Sequence, residues 1–166
     1  QVGAEGGTLT IPTAGDQVPG GLTIGLGPLQ GNGQEARAAV LRAGLAVGPV
    51  AMEIAGTQGG AVRLSAELRP LPPGMALEVR GVATDSGLVS ALDEAARALD
   101  MGIAAIAYAV EIETNLAGEI ASASVEMAVD EAWANAWPRD RVRISRISAG
   151  GGGRILETIL MGVDDV

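Results

Sequence analysis

In AVRLSAEL, residues 61–68, Val62, Leu64, Ala66 and Leu68 fall on one parity and Arg63, Ser65 and Glu67 on the other. Successive side chains of a strand point to opposite faces, so this order gives one apolar face and one wet face. On a helix the same residues would be scattered around the axis. The alternation returns in MALEVRGVA, 75–83, with Met75, Leu77 and Val79 together. It returns again in EIASASVEMAVD, 119–130, where Val125, Met127 and Val129 oppose Ser124, Glu126 and Ala128. IAAIAYAVEIET, 103–114, is almost wholly apolar, as a central strand is.

Shorter strands are expected at Thr8–Ile11 and Leu22–Leu26, each bounded by glycine or proline, and at Arg141–Ile147 and Ile155–Val163, joined by AGGGG. Pro70, Pro72 and Pro73 stop the strand that precedes them. GLGPLQGNGQ, 25–34, reads as a loop. EARAAVLRAGLAV, 35–47, is ambiguous: alanine favours helix, while Gly44 and Pro49 interrupt one. It is expected to be a short helix or strand leading into a strand at Val50–Ala55. The one clear amphipathic helix lies at about 86–101. Leu88, Leu92, Ala95, Ala96 and Leu99 line one side, Asp85 or Ser86 caps it and Gly102 stops it.

About eight or nine strands with one clear helix and one short one predict an all-β fold: an antiparallel β-sandwich, Ig-like or jelly-roll-like. Residues 1–34, Gly- and Pro-rich and nearly uncharged, are expected to form an N-terminal arm with one or two short strands. Residues 35–166 are expected to form the sandwich, with the helix at about 86–101 as an insertion.

The 166 residues are 48% hydrophobic but only 2% aromatic, so the core is built from Ala, Val, Ile, Leu and Met. No apolar run reaches the ~18 residues that span a bilayer, so no membrane insertion is expected of the mature chain. The net charge of −9 opposes nucleic acid, whose phosphates need a basic face. Histidine, lysine and cysteine are absent. That removes Ser–His, Cys–His and Ser–Lys nucleophiles and the usual zinc ligands. Glycines 25, 27 and 31 do not form a dinucleotide or phosphate loop. Carboxylate chemistry remains, as a Glu/Asp pair or a calcium site. Glu111 and Glu113 share one strand face, which an arginine partner explains equally well, and no DxDxDG loop occurs. No enzyme and no cofactor are expected, with calcium kept open on charge alone.

Both tryptophans lie in VDEAWANAWPRDRVRISR, 129–146. Asp130 can cap a short helix that Pro138 ends, and Trp133 and Trp137 then share a face. They read as a lid on the core, an interface anchor or a sugar platform, the lid being the leading reading. Arg139, Arg141, Arg143 and Arg146 read either as a solvated strand face pairing with acids such as Glu126, or as a subunit contact. QVGAEGGT at the start reads as an end left by signal-peptide cleavage, hence a secreted, extracellular protein; an arbitrary boundary is the other reading.

The ordered set YAVEIETN, EIASASVEMAVDEAWANAW, DRVRISRISAGGG and LETILMGVDD resembles the PGF-pre-PGF domain of archaeal cell-surface proteins. Tyr108, Ile112, Ile120, Ala123, Val125, Val129, Trp133, Val142, Arg146 and Leu156–Glu157–Thr158 carry the likeness, which covers about 60–166. The helical insertion and Ile147, where the family has an aromatic, depart from it. The resemblance implies an extracellular sandwich in a surface layer, sheath or filament, with no catalytic residues to carry over. The expected function is a structural subunit that assembles with copies of itself. Thr8, Leu9, Thr10 and Ile11 would form a strand exchanged onto the next subunit, and Arg139, Arg141 and Arg143 would sit in the contact. The competing reading pairs TLTI within its own domain; the alternative function is a glycan- or calcium-binding module.

Overall fold

The computed structural model describes residues 2–3, 6–12, 20–32, 35–52, 59–69, 76–115, 118–148 and 152–162. Several expected features lie outside these: Gly33 and Gln34 of the loop, Glu53–Ala55, Pro70, Pro72, Pro73, Met75, Ala149–Gly151 and Val163. The elements run β1 (Val2–Gly3), β2 (Gly6–Pro12), β3 (Gly20–Leu26), β4 (Gln30–Asn32), β5 (Glu35–Arg37), β6 (Val40–Met52), β7 (Gly60–Leu68) and β8 (Leu77–Val82). Then come α1 (Ser86–Arg97), β9 (Ala109–Thr114), β10 (Ile120–Ala128), α2 (Glu131–Asn135), a 3-10 turn at Arg139–Arg141, β11 (Ser145–Ile147) and β12 (Gly153–Ile155). The fold is strand-rich and antiparallel with two short helices, in the sandwich-like all-β class the alternation predicts.

The chain divides into two compact units. One comprises 1–52, 61–79 and 112–128; the other comprises 53–60, 80–111 and 129–166. Residues 1–34 thus share a unit with β6.

The first unit holds a six-stranded sheet in the order β1-β2-β3-β6-β7-β10. Directly opposed residues share a face, so the register sorts its side chains. Leu22 opposes Leu45, Ile24 opposes Ala43, Leu68 opposes Ile120 and Leu64 opposes Val125. On that face Leu22, Ile24, Ala43 and Leu68 are buried, with Leu26, Leu45, Ala66 and Ile120 packed against them. The other face carries Thr23 beside Gly44, Ser65 beside Ser124 and Arg63 beside Glu126.

β5 and β6 answer the ambiguity at 35–47. The whole stretch 40–52 is one strand, because pairing with β3 outweighs the helix preference of alanine. Its buried parity changes part-way, from Ala43 and Val47 to Met52. Gly48 sits at the change with φ +107, and a Cβ there would lie 2.5 Å from the Val62 carbonyl oxygen, so glycine is required. Pro49 lies beyond the β3 ladder, which ends at Gly20↔Val47, so its missing N–H costs that ladder nothing. Part of the expected loop at 25–34 is also ladder: β4 pairs with β5.

In the second unit, Asp85 caps α1, its Oδ1 accepting from the Leu88 N–H at 2.8 Å. Ala95 and Ala96 are buried. The helix stops before the expected Gly102. Asp100 takes φ 60 and the Met101 N–H donates back to the Ala96 carbonyl, a left-handed stop that leaves Leu99 past the helix and 57% exposed. α1 packs on β12, and a Cβ at Gly153 would lie 2.8 Å from the Ala91 carbonyl oxygen.

Three expected strands are shorter than the sequence suggests. The 103–114 strand is ladder only from Ala109. The pair 141–147 and 155–163 is reduced to β11 and β12, in register Ser145↔Ile155 to Ile147↔Gly153. The Thr158 hydroxyl is the reason for the second. It accepts from the Ile144 N–H at 3.0 Å and donates to the Leu156 carbonyl at 3.0 Å, occupying groups a longer ladder would use.

Candidate strand-addition edges

The six-stranded sheet has two unlike edges. On one side β2 pairs with β3 from Gly7↔Leu26 to Pro12↔Gly21, so TLTI is held within its own chain. β1 covers only Gly6 and Gly7. Along Leu9–Ile11 no second strand partner is present among the described residues. On the other side β10 pairs with β7 and has no further strand beyond it among the described residues.

The two edges differ in chemistry. In β2, Leu9 opposes Ile24 and Ile11 opposes Leu22, so both continue the sheet's apolar face. Being at the edge they are covered on one side only, and stay 42% and 45% exposed. The segment carries no charge. β10 is more polar: Glu126 pairs with Arg63 at 3.0 Å, Ser124 shares a 2.7 Å hydrogen bond with Ser65, and Ser122 donates to Glu67 at 3.3 Å. These contacts close the wet face on itself, above a groove of about 450 Å³ lined by Thr23, Gly44, Ser65, Glu67, Ser122 and Ser124.

A second exposed apolar stretch was not singled out by the sequence reading. Beyond Thr158 the chain leaves the ladder, with Ile159 80%, Leu160 41% and Met161 63% exposed. Among the described residues, no backbone hydrogen bond engages Ile159–Met161. The signal is in the sequence: TILM opens with the β-branched Thr158 and Ile159 and is apolar thereafter, and an expected strand needs a partner.

The other candidate residues lie in the second unit. Asp130 caps α2 as expected, its Oδ1 accepting from the Trp133 N–H at 3.0 Å. The two indoles stand 6.4 Å apart, tilted by 56°, and both are half-buried, so they do not make a flat platform. The Trp137 Nε1 is enclosed and lacks a hydrogen-bond partner among the described residues. Arg139 and Arg141 lie in the 3-10 turn and Arg143 in the segment after it, all exposed, where a strand face was expected. Pro138 turns the chain there, and Glu126, the partner proposed for these arginines, is bonded to Arg63 instead. Arg141 reaches Asp140 at 4.0 Å and Arg143 donates to the Val142 carbonyl at 2.8 Å.

Glu111 is held by Arg80, with Nε at 2.8 Å and the terminal nitrogen at 2.7 Å. Asp93 lies 3.6 Å from Arg97 and also borders a depression of about 380 Å³ with Thr84, Val89, Ile103 and Ile106. Among the described residues no three acidic side chains converge as a metal site would require. Among the described residues the one ionisable group with a clear shift is Tyr108, whose hydroxyl is pushed up to about 12 by burial. No helix among the described residues is long and apolar enough to cross a membrane.

No protein-family model matches the chain, and no curated protein or solved structure matches it.

Proposed function

We propose that this protein is a secreted structural subunit that assembles with copies of itself into an extracellular filament, sheath or surface layer. The contact is strand addition at the edge of the six-stranded sheet. The observation that carries this reading is the β2 edge: Leu9 and Ile11 are apolar, uncharged, strand-borne and nearly half exposed. An edge of that kind is what folded proteins ordinarily blunt with charge or a covering segment. Covering the two side chains would contribute about 1 kcal/mol each, and new main-chain hydrogen bonds would add to this.

Addition to the outer edge differs from exchange of the whole strand. Exchange would break the β2–β3 register from Gly7 to Pro12, whereas addition leaves it intact. A contact that joins this edge to a different surface of the next copy is heterologous, and such contacts propagate unless a rotation closes them. The extracellular placement rests on the resemblance of 60–166 to a surface-protein domain. The reading includes no catalytic step and no cofactor.

The test is assembly of the purified chain, followed by light scattering and negative-stain microscopy across concentration. Polymers are expected, and Ile11→Lys should abolish them while leaving circular dichroism and thermal unfolding close to wild type. Monodisperse particles at every concentration, or polymers indifferent to Ile11→Lys, would overturn the reading.

A further inference from the structure

Strand addition at Leu9–Ile11 needs a strand to add, and the same chain carries one without a place. We propose that Ile159–Met161 of a neighbouring copy docks antiparallel along Leu9–Ile11, as the donated strand of the subunit contact. This rests on the self-assembly reading above and names its partner segment.

Three observations support the assignment. First, the segment is apolar and strand-prone, yet its backbone is not hydrogen-bonded among the described residues and its side chains are 80%, 41% and 63% exposed. It is also rooted: the Thr158 hydroxyl bonds and the Leu156 N–H to the Ile144 carbonyl, at 2.8 Å, fix the chain just before it. A rooted tip loses less conformational freedom on docking than a loose tail.

Second, the parities match. Antiparallel pairing of Ile159 with Ile11, Leu160 with Thr10 and Met161 with Leu9 sets two apolar pairs on the apolar face of the sheet. Ile159 and Met161 are the more exposed of the three donor side chains, at 80% and 63% against 41% for Leu160. Shifting by one residue would put Leu160 alone on that face and turn Ile159 and Met161 to the wet side.

Third, the charges permit it. Copies with a net charge of −9 repel, and neither Leu9–Ile11 nor Ile159–Met161 contains a charged residue. The β10 edge, carrying Glu126, offers a less apolar seat and shows no comparable exposed hydrophobics.

The chain has no cysteine, so introduced thiols report the contact cleanly. A Thr10→Cys chain and a Leu160→Cys chain, mixed under mild oxidation, should give a covalent dimer far faster than either alone. It should also form faster than Leu160→Cys mixed with Ser124→Cys, which places the thiol on the β10 edge. In parallel, Ile159→Glu/Met161→Glu should raise the concentration needed for assembly by roughly tenfold or more, with the monomer's circular dichroism and melting temperature unchanged. Cross-linking within one chain of a Thr10→Cys/Leu160→Cys variant, preferential cross-linking to the β10 edge, or unaltered assembly of the double glutamate variant would overturn the assignment. If Ile11→Lys still abolishes polymers while the glutamate variant does not, the edge reading stands and the donor strand is another segment. If no condition yields polymers, both fall.

Discussion

Raising the pH provides an unusually direct probe of this fold. Tyr108 is the chain's only tyrosine, and the protein has neither lysine nor cysteine. Between pH 9 and 12 the phenol is therefore the one side chain expected to titrate, since arginine stays protonated. In the native state Tyr108 is 5% exposed, and burial raises its pKa from 10.0 to about 12. The unfolded chain releases the proton near 10. Across the interval between the two values the native state holds more protons than the unfolded state, so stability falls as pH rises. It is unaffected below pH 10, declines from 10 to 12 and levels off above. Raising the pKa from 10.0 to about 12 corresponds to a loss of at most about 3 kcal/mol. Urea unfolding at half-unit pH steps, followed by tryptophan fluorescence, measures that slope. The near-UV absorbance of tyrosinate gives the native pKa independently, since the tryptophans do not ionise. Tyr108→Phe should flatten the profile over the same window. A native phenol that ionises near 10, with stability level between 10 and 12, would refute the burial argument and with it the placement of Tyr108.

Leu68→Ala should remove a side chain 3% exposed at the centre of the first unit's core and cost about 2–5 kcal/mol, seen as a lower urea midpoint with little change in slope. Asp85→Ala should cost about 1 kcal/mol by uncapping α1, whereas Arg63→Ala should cost less than about 1 kcal/mol because its ion pair with Glu126 is half exposed; thermal melts of both variants check the contrast. Assembly should strengthen as salt is raised, since screening weakens repulsion between copies of charge −9 while the contact itself carries none; a critical concentration that rises with salt would contradict an uncharged contact.

Where one face of a strand is buried and its partner strand is close, the pattern was legible. Val62, Leu64, Ala66 and Leu68 stand in the register their parity requires, opposite Met127, Val125, Ala123 and Ile120. The capping of α1 by Asp85 and of α2 by Asp130 was legible for a similar reason, because the groups that decide it lie three residues apart. What local pattern could not decide was pairing. Ala43 and Ala46 looked half helical because the neighbour that makes their segment a strand, β3, is elsewhere in the chain. The helix stop was misplaced because Asp100 supplies the left-handed turn that glycine was expected to supply.

The same distinction bears on the candidate site. Conspicuous residues drew the eye to Trp133 and Trp137, yet tilted and half-buried indoles are ordinary in a small aromatic-poor fold. TILM lies in the expected strand Ile155–Val163, and its Thr158 and Ile159 are strand-forming residues. What the ladder lacks is a partner, because the Thr158 side chain ends the β11–β12 pairing just before it. A β-prone segment needs a neighbour to satisfy its backbone, and here three apolar side chains stay exposed. Leu9 and Ile11 stand in the complementary position, paired on one side only. Each deficit is the kind the other could fill, and a second copy of the chain brings both surfaces without any further component.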